Sequence, residues 1–437
     1  MNNETKHLKN SNSNKYIAPS LDTPINTKNN SKQKQSWREA KAIADVKLKK
    51  ERDQNIHPHS LYFTDSKGWQ RSYQWALAPP NTCLKILNHF LYLIFTCTTA
   101  GFAYFWGFSP VSIVAMTLLG INVWAKFMTT GTKFQKDDSA PFEILRMVKD
   151  DEKKDIFKQM KDPMGSFTKS ESFVMQFNGL LTMGAVFGLY VYCLIYLVVT
   201  PIMHTVFWVF LTFMTSNHVV NIEANPFKIG IETYYFLPLA KQLTQMINTY
   251  EIVETITDVE SGEDKLDFKN GYDNYNIMIE LVENFSKTFA SFFFFAEFTL
   301  VLETLCFLIG SYDQISLLIN SPFCWKHIFP AVLITSLFIQ MALFVKVIFG
   351  MAAGLTAAML RLENRMHKFN AQVNSNFTNQ KEESKEFTAH VIAGLHLTGF
   401  RSMGIVISES LGAKIAYAFI SIIGTGGMIA LRYMPAV

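Results

Sequence analysis

The sequence predicts an all-α, polytopic membrane protein with seven transmembrane helices, an N-terminus in the cytoplasm and a C-terminus outside the cell. Three observations lead to this class. Of 437 residues, 49% are hydrophobic and only 17% are charged, where an ordinary soluble domain carries about 25% charged residues. Residues 172–222 contain no Asp, Glu, Lys or Arg. As one helix that stretch would run roughly 75 Å, about twice the full thickness of a bilayer, so it must fold back on itself in an apolar medium. Finally, Lys and Arg collect in alternate loops, and that bias sets orientation in a membrane.

The elements follow in order. Residues 1–55 are rich in Asn, Lys and Ser and poor in large apolar side chains. Such a composition buries too little surface to offset ordering entropy, so a disordered cytoplasmic tail is expected. Its later part, SWREAKAIADVKLKKER, is a candidate short helix. No apolar signal-peptide core stands in the first 60 residues, so the first span is expected to direct its own insertion. Residues 56–84, with Trp69, Trp75 and Pro79-Pro80, read as an interfacial lead-in to a domain over 85–437.

Spans are expected at Lys85–Trp106, Pro110–Thr129, Val174–Val199, Ser286–Gly310, Phe329–Met351 and Ala413–Leu431. One more, the fourth, starts after Thr200-Pro201, because proline disfavours helix in the residue before it. It is placed at Ile202 to about Val220, with Phe227–Tyr250 as the alternative.

Orientation comes from the loops. Residues 1–84 carry 14 Lys or Arg, 131–173 carry 9, 221–285 carry 4 and 353–411 carry 6, whereas 107–109 and 200–201 carry none and 311–328 only Lys326. The basic loops belong in the cytoplasm. Two sequons, Asn284-Phe-Ser and Asn376-Phe-Thr, then lie inside and are expected to carry no glycan. The three long loops, 131–173, 221–285 and 353–411, have helical character. MIELVENFSKTF runs into the fifth span and AAMLRLENRMHKF continues from the sixth. KEFTAHVIAGLHLTGFRSMGIVIS leads into the seventh with apolar residues at helical spacing. Too polar to span and too apolar to float free, they are expected to pack as a helical bundle.

Candidate functional residues are few. Glu297 and Glu303 lie in the fifth span, where carboxylates are expensive. Two readings stand: local polar contacts or protonation, and the lining of a ligand cavity or ion path. Lys346, in the sixth span, can pair with one of them or reach toward the headgroups, as Lys126 does in the second. His204 and His218 read as interfacial residues rather than metal ligands. GMAAGLTAA, Gly350–Ala358, presents small residues four apart, a spacing that lets helices approach. ETITDVESGEDKLD reads as a solvated acidic loop, since Gly262 falls at the wrong offset for a calcium loop. The five cysteines are scattered and show no disulfide framework. No phosphate-cradling glycine loop, HExxH, paired CxxC or nucleophile–base arrangement is recognisable, so the sequence gives an enzyme, a metal or a cofactor no support. No nucleic acid is expected as a partner.

The chain closes with GTGGMIALRYMP. Thr425-Gly426 is followed by five mostly apolar residues, Gly427 to Leu431, and then by Arg432-Tyr433. This resembles the closing motif of the insect gustatory and odorant receptors: Thr-Tyr, five apolar residues, Gln-Phe. Here Gly replaces Tyr and Arg replaces Gln. NPFKIGIETYYFLPL, Asn225–Leu239, also looks like the segment entering the fourth span of odorant receptors. The resemblance covers residues 80–437 in architecture and a few dozen in sequence. It implies a tetrameric, ligand-gated cation channel of the plasma membrane, homo- or heteromeric, with a small-molecule ligand held among the second to sixth spans. It also implies that Thr425, Ile429, Arg432 and Tyr433 lie along a pore lined by the seventh span. Four arginines about one axis would repel cations. Three outcomes follow: Arg432 turns toward headgroups, the pore passes anions, or the homologue does not conduct. A carrier and a non-conducting membrane scaffold are the alternatives. The basic N-terminal tail suits contact with anionic membrane lipid in any of the three.

Overall fold

The computed structural model describes residues 35–55, 107–130, 139–161, 167–197, 232–257, 264–320, 327–395, 399–402 and 404–411, with isolated positions between 83 and 104 and at 414 and 421. These residues are mostly helical. In chain order the helices are α1 (Trp37–Asp53), α2 (Pro110–Thr130), α3 (Ala140–Met147), α4 (Asp150–Lys161), α5 (Lys169–Leu197) and α6 (Glu232–Thr249). A two-stranded antiparallel sheet follows, β1 (Glu254–Thr257) and β2 (Asp264–Asp267), in which Glu254 pairs with Asp267. Then come α7 (Phe268–Leu305), a π-turn (Cys306–Gly310), α8 (Ser311–Asn320), α9 (Ile328–Asn376) and α10 (Lys381–Leu395). A second small antiparallel sheet, β3 (Arg401–Ser402) and β4 (Ile405–Val406), ends the described run.

Two helical stretches are long and apolar enough to cross a membrane, Phe268–Leu317 and Ile328–Asn376. Each is about 75 Å long at 1.5 Å per residue, well beyond the roughly 30 Å hydrocarbon core. The fifth and sixth expected spans therefore sit within longer rods, and MIELVENFSKTF and AAMLRLENRMHKF extend those rods without a break, as expected. Helices also form over the second and third expected spans. The first placement of the fourth and residues 56–82 lie outside the described residues, as does most of the first and of the seventh.

The N-terminal half of α7 and the C-terminal half of α9 pack with α1, α3, α4, α6 and α10 around one apolar core. Phe236 of α6 is central. Its ring centroid lies 5.0–5.9 Å from those of Phe285, Phe289, Phe292, Phe293 and Phe400. The run Phe292–Phe295 therefore supplies core as well as hydrophobicity. The alternative fourth span, Phe227–Tyr250, overlaps α6. That helix belongs to this core, carries an exposed Lys241, and is not among the long apolar helices. Arg365 of α9 closes its C-terminal end, donating from Nη1 to the Ile247 carbonyl at 2.6 Å.

Three expectations are corrected. The tail over 1–55 is not disordered throughout: residues 37–53 form α1, the short helix expected over SWREAKAIADVKLKKER, and it docks on α3 and α7. Its Ser36 cap accepts from the Glu39 amide at 3.2 Å. Trp37, Ala40 and Ala44 form a narrow apolar stripe, and Trp37 meets Tyr250 edge-on at 5.0 Å. Burying one tryptophan is worth on the order of 5 kcal/mol before ordering costs, which a composition average over 55 residues hides. Burial pushes the Tyr250 phenol up to about 12, with Glu152 adding to the shift. The two ends of the acidic stretch ETITDVESGEDKLD, Glu254–Thr257 and Asp264–Asp267, are paired strands, and the buried Gln380 side chain bonds both backbone groups of Leu266 at 2.9 Å. The helical spacing read after Lys385 stops at Leu395. Gly399 and Gly404 take φ of +151° and +82°, and the chain turns back as β3–β4. That backbone favours glycine over any residue with a Cβ.

Candidate functional site

The apolar helices meet along seams of buried polar side chains. Between α2 and α7, Asn122 Nδ2 donates to Thr299 Oγ1 at 2.7 Å, both residues buried, and Thr299 Oγ1 donates to the Phe295 carbonyl at 2.6 Å. Glu303 is one helical turn further along α7, on the face of Thr299, and is 4% exposed. The π-turn comes next. Beyond it, Asp313 accepts from the Ser109 amide at 2.9 Å and from Ser112 Oγ at 2.8 Å. The first-turn amides of a helix have no partner within it. Asp313 supplies an acceptor and a negative charge there to α2, from a different helix. Beside it, Gln314 Oε1 and His327 Nδ1 are 2.9 Å apart and buried.

Between α5 and α9 the pairing is reciprocal. Asn178 Nδ2 donates to the Ser336 carbonyl at 2.6 Å, and Ser336 Oγ donates to the Asn178 carbonyl at 2.9 Å. Close packing accompanies it: the Phe329 ring lies on Gly188 of α5, where a Cβ would stand 2.1 Å from it. Small and hydrogen-bonding residues at helix contacts are what holds helices together where no hydrophobic drive exists between them.

The outer surfaces of these helices are apolar. Val111, Val114, Leu118 and Ile121 make an exposed stripe on α2, and Phe294, Phe298, Val301 and Leu305 make one on α7. Phe173, Phe177 and Leu180 do the same on α5. Polar groups turned inward and large apolar groups turned outward reverse the pattern of a water-soluble surface.

Of the residues singled out from sequence, Glu303 is buried one turn from Thr299 on α7. Glu297 is half-buried near the Ser402 hydroxyl. Lys346 joins neither carboxylate. Its ammonium pairs with Glu171 at the first turn of α5. Glu171 also accepts from the Thr168 amide at 2.9 Å, while Thr168 Oγ1 accepts from the Glu171 amide at 3.3 Å, a reciprocal helix-start box. Thr425, Ile429, Arg432 and Tyr433 lie outside the described residues. Sequence reasoning missed Asn122, Thr299, Asn178, Ser336 and Asp313. For Asn122 and Asn178 the available signal was an amide side chain within an apolar run, as in LLGINVW and MQFNGLL.

No protein-family model, curated protein or solved structure shows a significant match to this chain.

Proposed function

We propose that the chain is a seven-span membrane protein of the gustatory and odorant receptor type, acting at the plasma membrane as a tetrameric ion channel gated by a small organic ligand. The observation that carries the reading is the continuity of α7 and α9. Each rod begins or ends in a packed, polar-surfaced bundle and continues, with no break in the backbone helix, into an apolar stretch with outward-facing hydrophobic stripes. Such rods transmit a shift at one end to the other, and binding that favours one arrangement moves the whole equilibrium. The closing sequence supports the pore assignment of Thr425, Ile429, Arg432 and Tyr433, with the seventh span as its lining. Arg432 supports a second reading, a membrane scaffold that signals through its bundle without conducting ions.

Purification of the full chain in mild detergent, followed by mass measurement and planar-bilayer recording, tests both readings. A tetramer with ligand-dependent current is expected, together with altered selectivity or conductance in Arg432→Gln. A monomer overturns the channel. A tetramer with no current from either form selects the scaffold.

A further inference from the structure

The two ends of α1 are fastened to the bundle by different means. We propose that α1 is a strap hinged at Trp37 and latched by the Glu51–Arg146 ion pair, and that opening the latch releases α3 from its grip. The proposal depends neither on ion conduction nor on the number of spans.

Packing and backbone bonds build the hinge end. Trp37 is wholly buried, and its ring meets Tyr250 edge-on. The Arg38 amide donates to Asn274 Oδ1 at 2.7 Å. Asn274, fully buried on α7, donates in turn from Nδ2 to the Ile252 carbonyl at 3.0 Å. The Glu251 amide donates to the Gln35 carbonyl at 3.4 Å. Neutral contacts of this kind offer dissolved salt little to screen.

The other end is held by charge. Among the described residues, Glu51 is the one buried residue of α1 beyond Ala44. The apolar Ile43 and Val46 face away from the bundle, 43% and 70% exposed. Arg146 of α3, 2% exposed, donates from Nε to Glu51 Oε2 at 2.9 Å, and its Nη2 stands 2.8 Å from the same oxygen. Lys47 donates to the Arg146 carbonyl at 3.2 Å and lies 3.5 Å from the exposed Asp150 at the start of α4. Lys41 pairs with Glu143 of α3. Exposed pairs contribute little and fade with salt, whereas removing one partner of a buried pair is costly. The Glu51–Arg146 pair therefore decides whether this half of α1 stays down.

What the strap restrains follows from its neighbours. It lies on both α3 and α7, and only residues 131–139 separate α3 from α2 in the chain. With eight residues, α3 is too short to hold its helix unaided. When the latch opens, it loses Glu51 and Lys47 together.

Two forms of the full chain in mild detergent, each otherwise free of cysteine, report the opening. Ala44→Cys lies toward the latch and Ala40→Cys toward the hinge, and both alanines are buried. The isosteric Glu51→Gln removes only the charge. It is expected to raise the rate of maleimide modification at position 44 roughly tenfold, and at position 40 far less. Hydrogen exchange across Ala140–Met147 is expected to quicken with it, while exchange in α10 stays as it was. An unchanged rate at position 44 overturns the latch, equal gains at 40 and 44 overturn the hinge, and unchanged exchange in α3 overturns the restraint. Any of the three sinks the proposal and leaves the channel reading untouched. If Glu51→Gln does not fold, a salt series on the parent chain from about 0.05 to 0.5 M takes its place. Position 44 is again expected to gain over position 40, and equal or absent gains again overturn the proposal.

Discussion

At the scale of single residues, the polar side chains in the apolar helices settle where each helix lies. Glu171 shows how. It is the last charge before a long uncharged run, and it serves both as the box residue for the start of α5 and as the partner of Lys346 on α9. The Lys346 hydrogen bond, and then the Thr168 contacts, hold its carboxyl below the ordinary value of 4.5 against the opposing effect of burial. A depressed carboxyl contributes stability that is present above that ordinary value and is lost as pH falls through the lower folded value. The thermal midpoint of the detergent-solubilised chain is therefore expected to fall on acidification below 4.5, and Glu171→Gln is expected to flatten that part of the profile. An identical acid limb in the two proteins removes Glu171 from the account. None of this pairing was legible in the sequence. The sequence offers Lys346 the carboxylates of the fifth span as partners, and does not show that a residue 175 positions earlier is the one that meets it.

At the scale of elements, long apolar runs were legible and short packed pieces were not. The bounds of α2, α5 and the apolar halves of α7 and α9 follow from uninterrupted hydrophobicity and from Pro110. The helix α1 was expected over SWREAKAIADVKLKKER, but its docking was not: it rests on the narrow apolar stripe of Trp37, Ala40 and Ala44, too short a pattern to rise above its charged surroundings. The β3–β4 turn depends on two glycines that a helical reading passes over. It is fixed between the two rods: Ser286 Oγ accepts from the Arg401 amide at 2.8 Å and donates to its carbonyl at 3.1 Å, and Thr356 Oγ1 accepts from the Phe400 amide at 3.1 Å. Ser286→Ala with Thr356→Val removes these partners, at about 1–3 kcal/mol for the buried Phe400 amide and less for the part-buried groups of Arg401. Hydrogen exchange at the Arg401 and Phe400 amides is expected to quicken by one to several powers of ten, while exchange in α10 stays as it was. Unchanged exchange at both amides would show that packing of Phe400 on Phe236 and Phe293 holds the turn unaided.

At the scale of the whole molecule, a bundle built like a soluble core is joined by two unbroken helices to a region with apolar outer stripes and polar seams. The sequence carried the division between these regions, because charge density alone separates them. It did not carry how deeply the rods enter the bundle, which depends on aromatic contacts between residues far apart in the chain, such as Phe236 with Phe289. Side-specific labelling of single cysteines at the two ends of these rods tests the account most directly. With Tyr312→Cys on α8 and Lys368→Cys on α9, both in an otherwise cysteine-free chain, an impermeant maleimide is applied to right-side-out and inside-out membrane vesicles. The account predicts that position 312 reacts only in right-side-out vesicles and position 368 only in inside-out ones. Reaction of both positions from the same side would contradict it, since the two rods would then lie wholly on one side of the membrane.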